Sequence, residues 1–103
     1  MQPRKGTVQY NFEWDPKKAR NNRLKHSVAF EHAATVFRDP RAISIYDEDH
    51  SGEEDRWLTL GLASMGKLLV VHHTYQEIDE NEVRIRIISS RKATQSEEKL
   101  YTE

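Results

Sequence analysis

RWLTLGLASMGKLLVVHHTY (residues 56–75) decides the fold. Two apolar stretches, 56–63 and 67–75, flank Ser64-Met65-Gly66, and a short Gly-containing spacer between β-type runs reads as a hairpin turn. Leu68 to Val71 is apolar at every position, so this strand is expected to be covered on both faces and to lie centrally in its sheet. His72 and His73 follow, and because side chains alternate along a strand they leave it on opposite faces.

Upstream, residues 42–46 supply a further short strand, and downstream residues 83–88 another, with Val83, Ile85 and Ile87 on one face and Arg84, Arg86 and Ile88 on the other. Near the start, Val8, Tyr10, Phe12 and Trp14 alternate with polar residues, which makes a strand with an aromatic face. Asp15-Pro16 then opens a basic helix over 16–25, since Asp accepts orphan amide hydrogen bonds and Pro is tolerated in a first turn. Only Ala19 and Leu24 give that helix apolar surface, so it should sit outside, held at one edge. After a turn at His26-Ser27, Phe30, Ala33, Ala34 and Phe37 recur at helical spacing, and Asp39-Pro40 ends that helix. Thr94 with Glu97 three residues on forms a capping box for a C-terminal helix. The order strand, helix, helix, four strands, helix favours an antiparallel α+β layer over a doubly wound fold.

The chain has 103 residues, 36% hydrophobic and 32% charged, which fits one domain, 1–103, with a small core. It has no cysteine, so disulfides, thiolate chemistry and sulfur-held metals are excluded, and a reducing cytoplasmic setting is expected. The longest unbroken aliphatic run, 68–71, is far too short for a bilayer, and residues 1–6 lack the apolar core of a secretion signal; no membrane association is expected. A net charge of −1 conceals strong patterning: residues 1–46 carry nine Lys/Arg against four acids, residues 47–55 six acids and no Lys or Arg, and residues 56–103 seven of each. A polyanion therefore has a basic half to approach.

Asp47, Asp49, Ser51 and Gly52 imitate the opening of a calcium loop, but its twelfth position is Leu58 where a bidentate Glu is required, so a solvated acidic loop is the better reading. His72-His73 lacks the helical spacing of a zinc pair, and one of the two is expected to be packed or at the surface. Gly-rich phosphate loops and serine elbows are absent, so neither a cofactor nor a metal is expected. What remains is His26, His72 and His73, the cations Lys25, Arg56, Arg84, Arg86, Arg91 and Lys92, and Tyr101. Such a set can cut RNA: a base takes the 2′-hydroxyl proton, a cation steadies the phosphate and an acid protonates the leaving oxygen. Each residue also has a plainer reading, Arg84 and Arg86 on a solvated strand face, His26 in a turn and Tyr101 packing a helix.

Taken together, Phe12-Glu-Trp-Asp-Pro-Lys-Lys-Ala-Arg-Asn-Asn, Lys25-His26-Ser-Val-Ala-Phe30-Glu, Phe37-Arg-Asp-Pro40 and Ile87-Ile-Ser-Ser-Arg91-Lys92-Ala-Thr resemble the BrnT family of toxins. Arg56 after a Gly-Glu-Glu turn and a Glu-rich helix ending at Tyr101 add to the match. The chain departs from the family pattern at Ser27, where Gly is more usual, at Ala29 in place of Ser, and at Ser90 in place of Ala. The resemblance implies a RelE-like fold and a type II toxin that blocks translation as a metal-independent ribonuclease. It also implies a BrnA-like antitoxin, the two forming a heterotetramer. In such folds the reactive groups map to His26, Arg56, Arg91 and Tyr101, with Lys92 positioning RNA. Lys17, Lys18, Arg20, Arg23 and Lys25 on the basic helix either gather RNA backbone or dock an acidic antitoxin segment. The alternative on the same fold is a non-catalytic toxin that binds a protein such as DNA gyrase, and a third possibility is a binding domain without activity.

Overall fold

The computed structural model describes residues 8–103, so Arg4 and Lys5 of the basic N-terminal block lie outside it. The element order is β1 (Gln9–Glu13), α1 (Pro16–His26), α2 (Phe30–Ala34) running into a 3₁₀ turn (Thr35–Arg38), and β2 (Ile43–Tyr46). A second 3₁₀ turn (Glu48–His50) precedes β3 (Arg56–Leu62), β4 (Leu68–Thr74), β5 (Gln76–Asp79), β6 (Glu82–Lys92) and α3 (Gln95–Thr102). The sheet order is β1-β6-β4-β3-β2, with β5 also paired to β6. The strand built on Leu68 to Val71 is central, as its unbroken apolar run requires, and Gly66 turns the β3–β4 hairpin at φ +87.

Two expectations about the sheet are corrected. It is not wholly antiparallel, because β1 pairs in parallel with β6, from Gln9 opposite Glu82 to Glu13 opposite Arg86. Five strands, not four, follow the helices: Gln76–Asp79 is exposed throughout, so no apolar alternation marks it, yet it pairs antiparallel with β6. The last strand also runs on to Lys92 rather than stopping at Ile88. The cause is a register shift: His73 lies opposite Ile87 while His72 lies opposite Ser89, so one extra residue, Ile88, is inserted into β6. A bulge of this kind puts two neighbours on one face and breaks the period-two pattern.

α1 begins as read, with the Asp15 carboxylate accepting from the Lys17 amide at 2.8 Å and Pro16 in the first turn. It ends at Ser27, a non-glycine residue in the left-handed region at φ 58, whose amide donates to the Arg23 carbonyl. Leu24 adds nothing to its hold on the sheet, being 80% exposed. Asn22, 5% exposed, does the anchoring. Its Nδ2 donates to the carbonyls of Val28 (2.9 Å) and Ser90 (2.8 Å), and its Oδ1 accepts from the Ser90 amide at 3.0 Å. β1 pairs with β6 only as far as Arg86, and beyond it the Asn22 amide bonds both backbone groups of Ser90 as a neighbouring strand's peptide would.

The second helix is shorter than its stripe implied, because the chain tightens to 3₁₀ after Ala34 and this turns Val36, not Phe37, fully inward. Phe30, Ala33 and Val36 then pack with Leu69, Val71, Val83, Ile85 and Ile87 on one face of the sheet. At Gly61 a Cβ would stand 2.7 Å from Val36 Cγ1, so only glycine lets that turn approach β3. The helices α1 and α2 therefore cover one face of β6 and β4 and leave the other free of them.

Candidate active site

Residues opposite one another in an antiparallel pair share a face. Leu58 lies opposite His72, Leu60 opposite Val70 and Arg56 opposite Thr74. On the other side of β4, His72 lies opposite Ser89 and Val70 opposite Arg91. Since Leu69, Val71 and His73 point into the core, Arg56, His72, Ser89 and Arg91 belong to the face away from α2. Alternation along β6 adds Arg84 and Arg86 to that face, and the bulge sets Ile88 beside Ser89 there. Four arginines and a histidine thus converge from β3, β4 and β6. His73 takes the opposite side and is structural: the Thr59 hydroxyl donates to its Nε2 at 2.6 Å, and its Nδ1–H donates to the Thr74 carbonyl at 2.8 Å. Burial pushes His73 down to about 4, so it stays neutral.

The cations on this face are held by the protein's own acids. Glu54, from the acidic loop, accepts from both Arg56 (3.3 Å) and Arg86, and the Arg86 bond holds its carboxyl below the usual range. Arg91 makes a two-pronged contact with Glu97 of α3, at 2.7 and 2.9 Å, which pushes Glu97 down to about 2 and Arg91 upward. Glu97 also accepts from the Thr94 amide at 2.8 Å, completing the capping box that the sequence marks. The Nε of Arg56 is buried with no acceptor among the described residues.

Among the residues expected from sequence, Arg56 and Arg91 are on this face. His26 lies at its margin, in a hollow lined with Lys18, Asn21, Asn22, Lys25, Ile88 and Ser89. Lys17, Lys18, Arg20, Arg23 and Lys25 are all exposed on α1, and Lys92 is exposed at the end of β6. Tyr101 is not brought to the cluster: its hydroxyl donates to Asp39 at 2.6 Å, and Asp39 in turn accepts from the Leu62 amide at 2.8 Å, at the opposite end of β3 from Arg56. The Asp39 carboxylate raises the Tyr101 hydroxyl above its ordinary range, and Arg41 stacks over the ring.

Sequence reasoning passed over Glu54, Asn22 and the pair formed by His50 and Asp47, whose Nδ1 to Oδ2 distance is 2.9 Å. The acidic run flagged the loop, but nothing in it showed that Glu54 would fold back onto arginines 2 and 32 residues away in sequence. Asp47 is turned to His50 rather than into a calcium loop, and among the described residues no three His, Cys, Asp or Glu side chains are grouped to hold a metal ion. No helix among them is long and apolar enough to cross a membrane.

A small α+β protein that gathers arginines and a histidine on one sheet face presents the guanidinium forks that match phosphate oxygens. Residues 14–97 match the family described as the ribonuclease toxin BrnT of type II toxin-antitoxin systems, and the chain belongs to that family. Its fold is similar to the crystal structure of the Brucella abortus ribonuclease toxin BrnT, with a TM-score of 0.62 at 20% identity over 84% of this chain and all of that one. No curated protein matches the chain by sequence.

Proposed function

We propose that the chain is a metal-independent endoribonuclease that arrests translation in the cytoplasm, built on a RelE-like scaffold and neutralised by a BrnA-like antitoxin in a heterotetramer. The observation that carries this is the convergence of Arg56, Arg86 and Arg91 on the sheet face that α2 leaves uncovered. A phosphodiester seated there meets guanidinium forks that match its oxygens, and the charge that develops in the pentavalent state is stabilised without reorganisation. Arg56 and Arg91 hold the reacting phosphate. Lys92 and the exposed row Lys17, Lys18, Arg20, Arg23 and Lys25 lead the strand in or, when the antitoxin is bound, receive its acidic segment. His26, which the family resemblance puts forward as acid or base, lies at the margin beyond Ile88, in a hollow of its own. Tyr101, bound to Asp39, takes no part.

The test is cleavage of end-labelled RNA by the purified toxin in excess EDTA, with and without ribosomes, beside Arg56→Ala and Arg91→Ala. Products ending in 2′,3′-cyclic phosphate, lost by at least about a hundredfold in both variants, are expected. Undiminished cleavage by the variants overturns the assignment of the arginines, and intact RNA under both conditions overturns the reaction.

A further inference from the structure

Cleavage at a phosphate needs two proton-transfer groups, one for the 2′-hydroxyl and one for the leaving 5′-oxygen. A second hollow, beside Arg56, is lined by Asp47, His50, Arg56, Trp57, His72, His73 and Ile88, with a volume of about 180 Å³. At about 30 Å³ for each water it has room for roughly six, enough for a phosphate group and part of its ribose. His26 is not among its walls; it lines the separate hollow on the other side of Ile88. We propose that His72 and His50 are the catalytic proton-transfer pair and that they act at the phosphate held by Arg56. This rests on the ribonuclease reading above and names the groups that perform it.

The geometry divides the two roles. His72 projects from β4 onto the face between Leu58 and Ser89, fixed by the central strand of the sheet and half-buried. The groups around it are Arg91 from β6, Glu97 from α3, and Asp47 and His50 from the loop before β3, with His73 next to it in the strand. Arg56 shares its hollow, and Glu54 ties Arg56 to Arg86 just beyond. Burial and the Arg91 charge hold His72 below the usual imidazole range, so its ring is neutral at pH 7 and ready to accept a proton. His50 is 66% exposed and lines both this hollow and the wider cleft formed by Glu54, Arg56 and Arg86. Asp47 receives the Nδ1–H of His50, which orients the ring and leaves Nε2 as the working atom.

In the step that follows, His72 takes the proton of the ribose 2′-hydroxyl as that oxygen bonds to phosphorus. The bond from phosphorus to the 5′-oxygen breaks, and the departing oxygen keeps the electron pair and takes the Nε2 proton of protonated His50. The products are a 2′,3′-cyclic phosphate and a free 5′-hydroxyl, and the two rings return to their starting forms by exchanging one proton with water. His26 is left to contact the neighbouring stretch of RNA.

The experiment compares single-turnover RNA cleavage across pH for the wild-type chain, His72→Gln, His50→Gln, Asp47→Asn and His26→Gln, with binding of a 2′-deoxy oligonucleotide that cannot be cut. His72→Gln and His50→Gln are each expected to lose about 100-fold or more in rate and one limb of the pH profile, with binding held within about twofold. Asp47→Asn should fall between them and the wild type, and His26→Gln should weaken binding more than rate. In parallel, the ring signals of His50 and His72 should shift when the uncut oligonucleotide binds to the wild-type protein. Wild-type rates in the His72 and His50 variants, or loss of binding alone, overturn the pair while leaving the ribonuclease reading intact. Unmoved ring signals on binding overturn it even if the wild-type chain cuts no RNA.

Discussion

Replacing Asn22 tests how a helix with almost no apolar face is held to the sheet. Asn22→Ala removes three hydrogen bonds, to the Val28 carbonyl and to both backbone groups of Ser90, and leaves all three backbone partners without this amide. A buried hydrogen bond is worth about 1 kcal/mol net, and a group left unsatisfied costs about 1–3 kcal/mol, so the expected loss is about 3–4 kcal/mol. For a domain near this size that corresponds to a fall of roughly 12–25 °C in Tm. Asn22→Asp should be at least as harmful, because it keeps the acceptor for the Ser90 amide but turns a carboxylate toward two carbonyl oxygens. Leu24→Ala, on the same helix but 80% exposed, should change stability by no more than about 0.5 kcal/mol. Urea denaturation of the three variants, compared at equal slope, reads the difference. A loss of less than about 1 kcal/mol in Asn22→Ala would show that the helix is held by something other than this amide.

Glu54→Gln should tighten binding of an uncut oligonucleotide by about two- to fivefold, the worth of an exposed ion pair, as followed by fluorescence anisotropy at low salt; no change would mean that Glu54 does not compete with phosphate. Glu97→Gln should act the other way and weaken binding, because Arg91 loses the carboxylate that sets its fork. His73 is neutral when folded and its pKa is depressed to about 4, while the unfolded chain takes up its proton near 6.5. Its stabilising contribution is therefore whole above pH 6.5 and falls away toward pH 4 by up to about 1.4 kcal/mol per pH unit, a slope that urea titrations should find flatter in His73→Gln. Ser27→Gly should raise stability by about 1 kcal/mol, since glycine occupies φ 58 without the strain of a side chain; a lower Tm would refute it.

What the sequence made legible was set by short-range physics. Asp15, Pro16, Thr94 and Glu97 declare helix ends because a cap is made with amides two or three residues away. The unbroken run Leu68 to Val71 declares a central strand because burial on both faces leaves no room for polar alternation. The parts that stayed hidden depend on partners far along the chain. β5 is exposed and has a single apolar residue, Ile78, and only its pairing with β6 makes it a strand. Asn22 reads as one more polar residue on a basic helix until Ser90, 68 residues on, is brought beside it. Arg56 and Arg91 could be chosen by resemblance, but their meeting on one face with His72 follows from a β6 register that includes a bulge, and the doublets Ile87-Ile88 and Ser89-Ser90 blur that bulge. The position of Tyr101 was hidden for the same reason, because its hydroxyl is bound to Asp39, 62 residues earlier.

The two acids that hold the cationic face differ in what holds them. Glu97 is bound on both sides, accepting from the Thr94 amide at the start of α3 and from both terminal nitrogens of Arg91, so moving it unmakes a helix cap as well as an ion pair. Its depressed pKa, about 2, keeps the carboxylate charged at neutral and mildly acidic pH. Glu54 has arginines for partners and sits in the loop between a 3₁₀ turn and β3, so swinging it aside costs only an exposed pair. A phosphate that arrives with two oxygens for Arg56 and Arg86 repays that cost directly. Arg91 is therefore already set by Glu97, whereas Arg56 and Arg86 would become available to a phosphate by exchange of one anion for another. The opposite signs expected for Glu54→Gln and Glu97→Gln follow from that asymmetry, and a common sign would mean that both acids are mere counter-ions to the face.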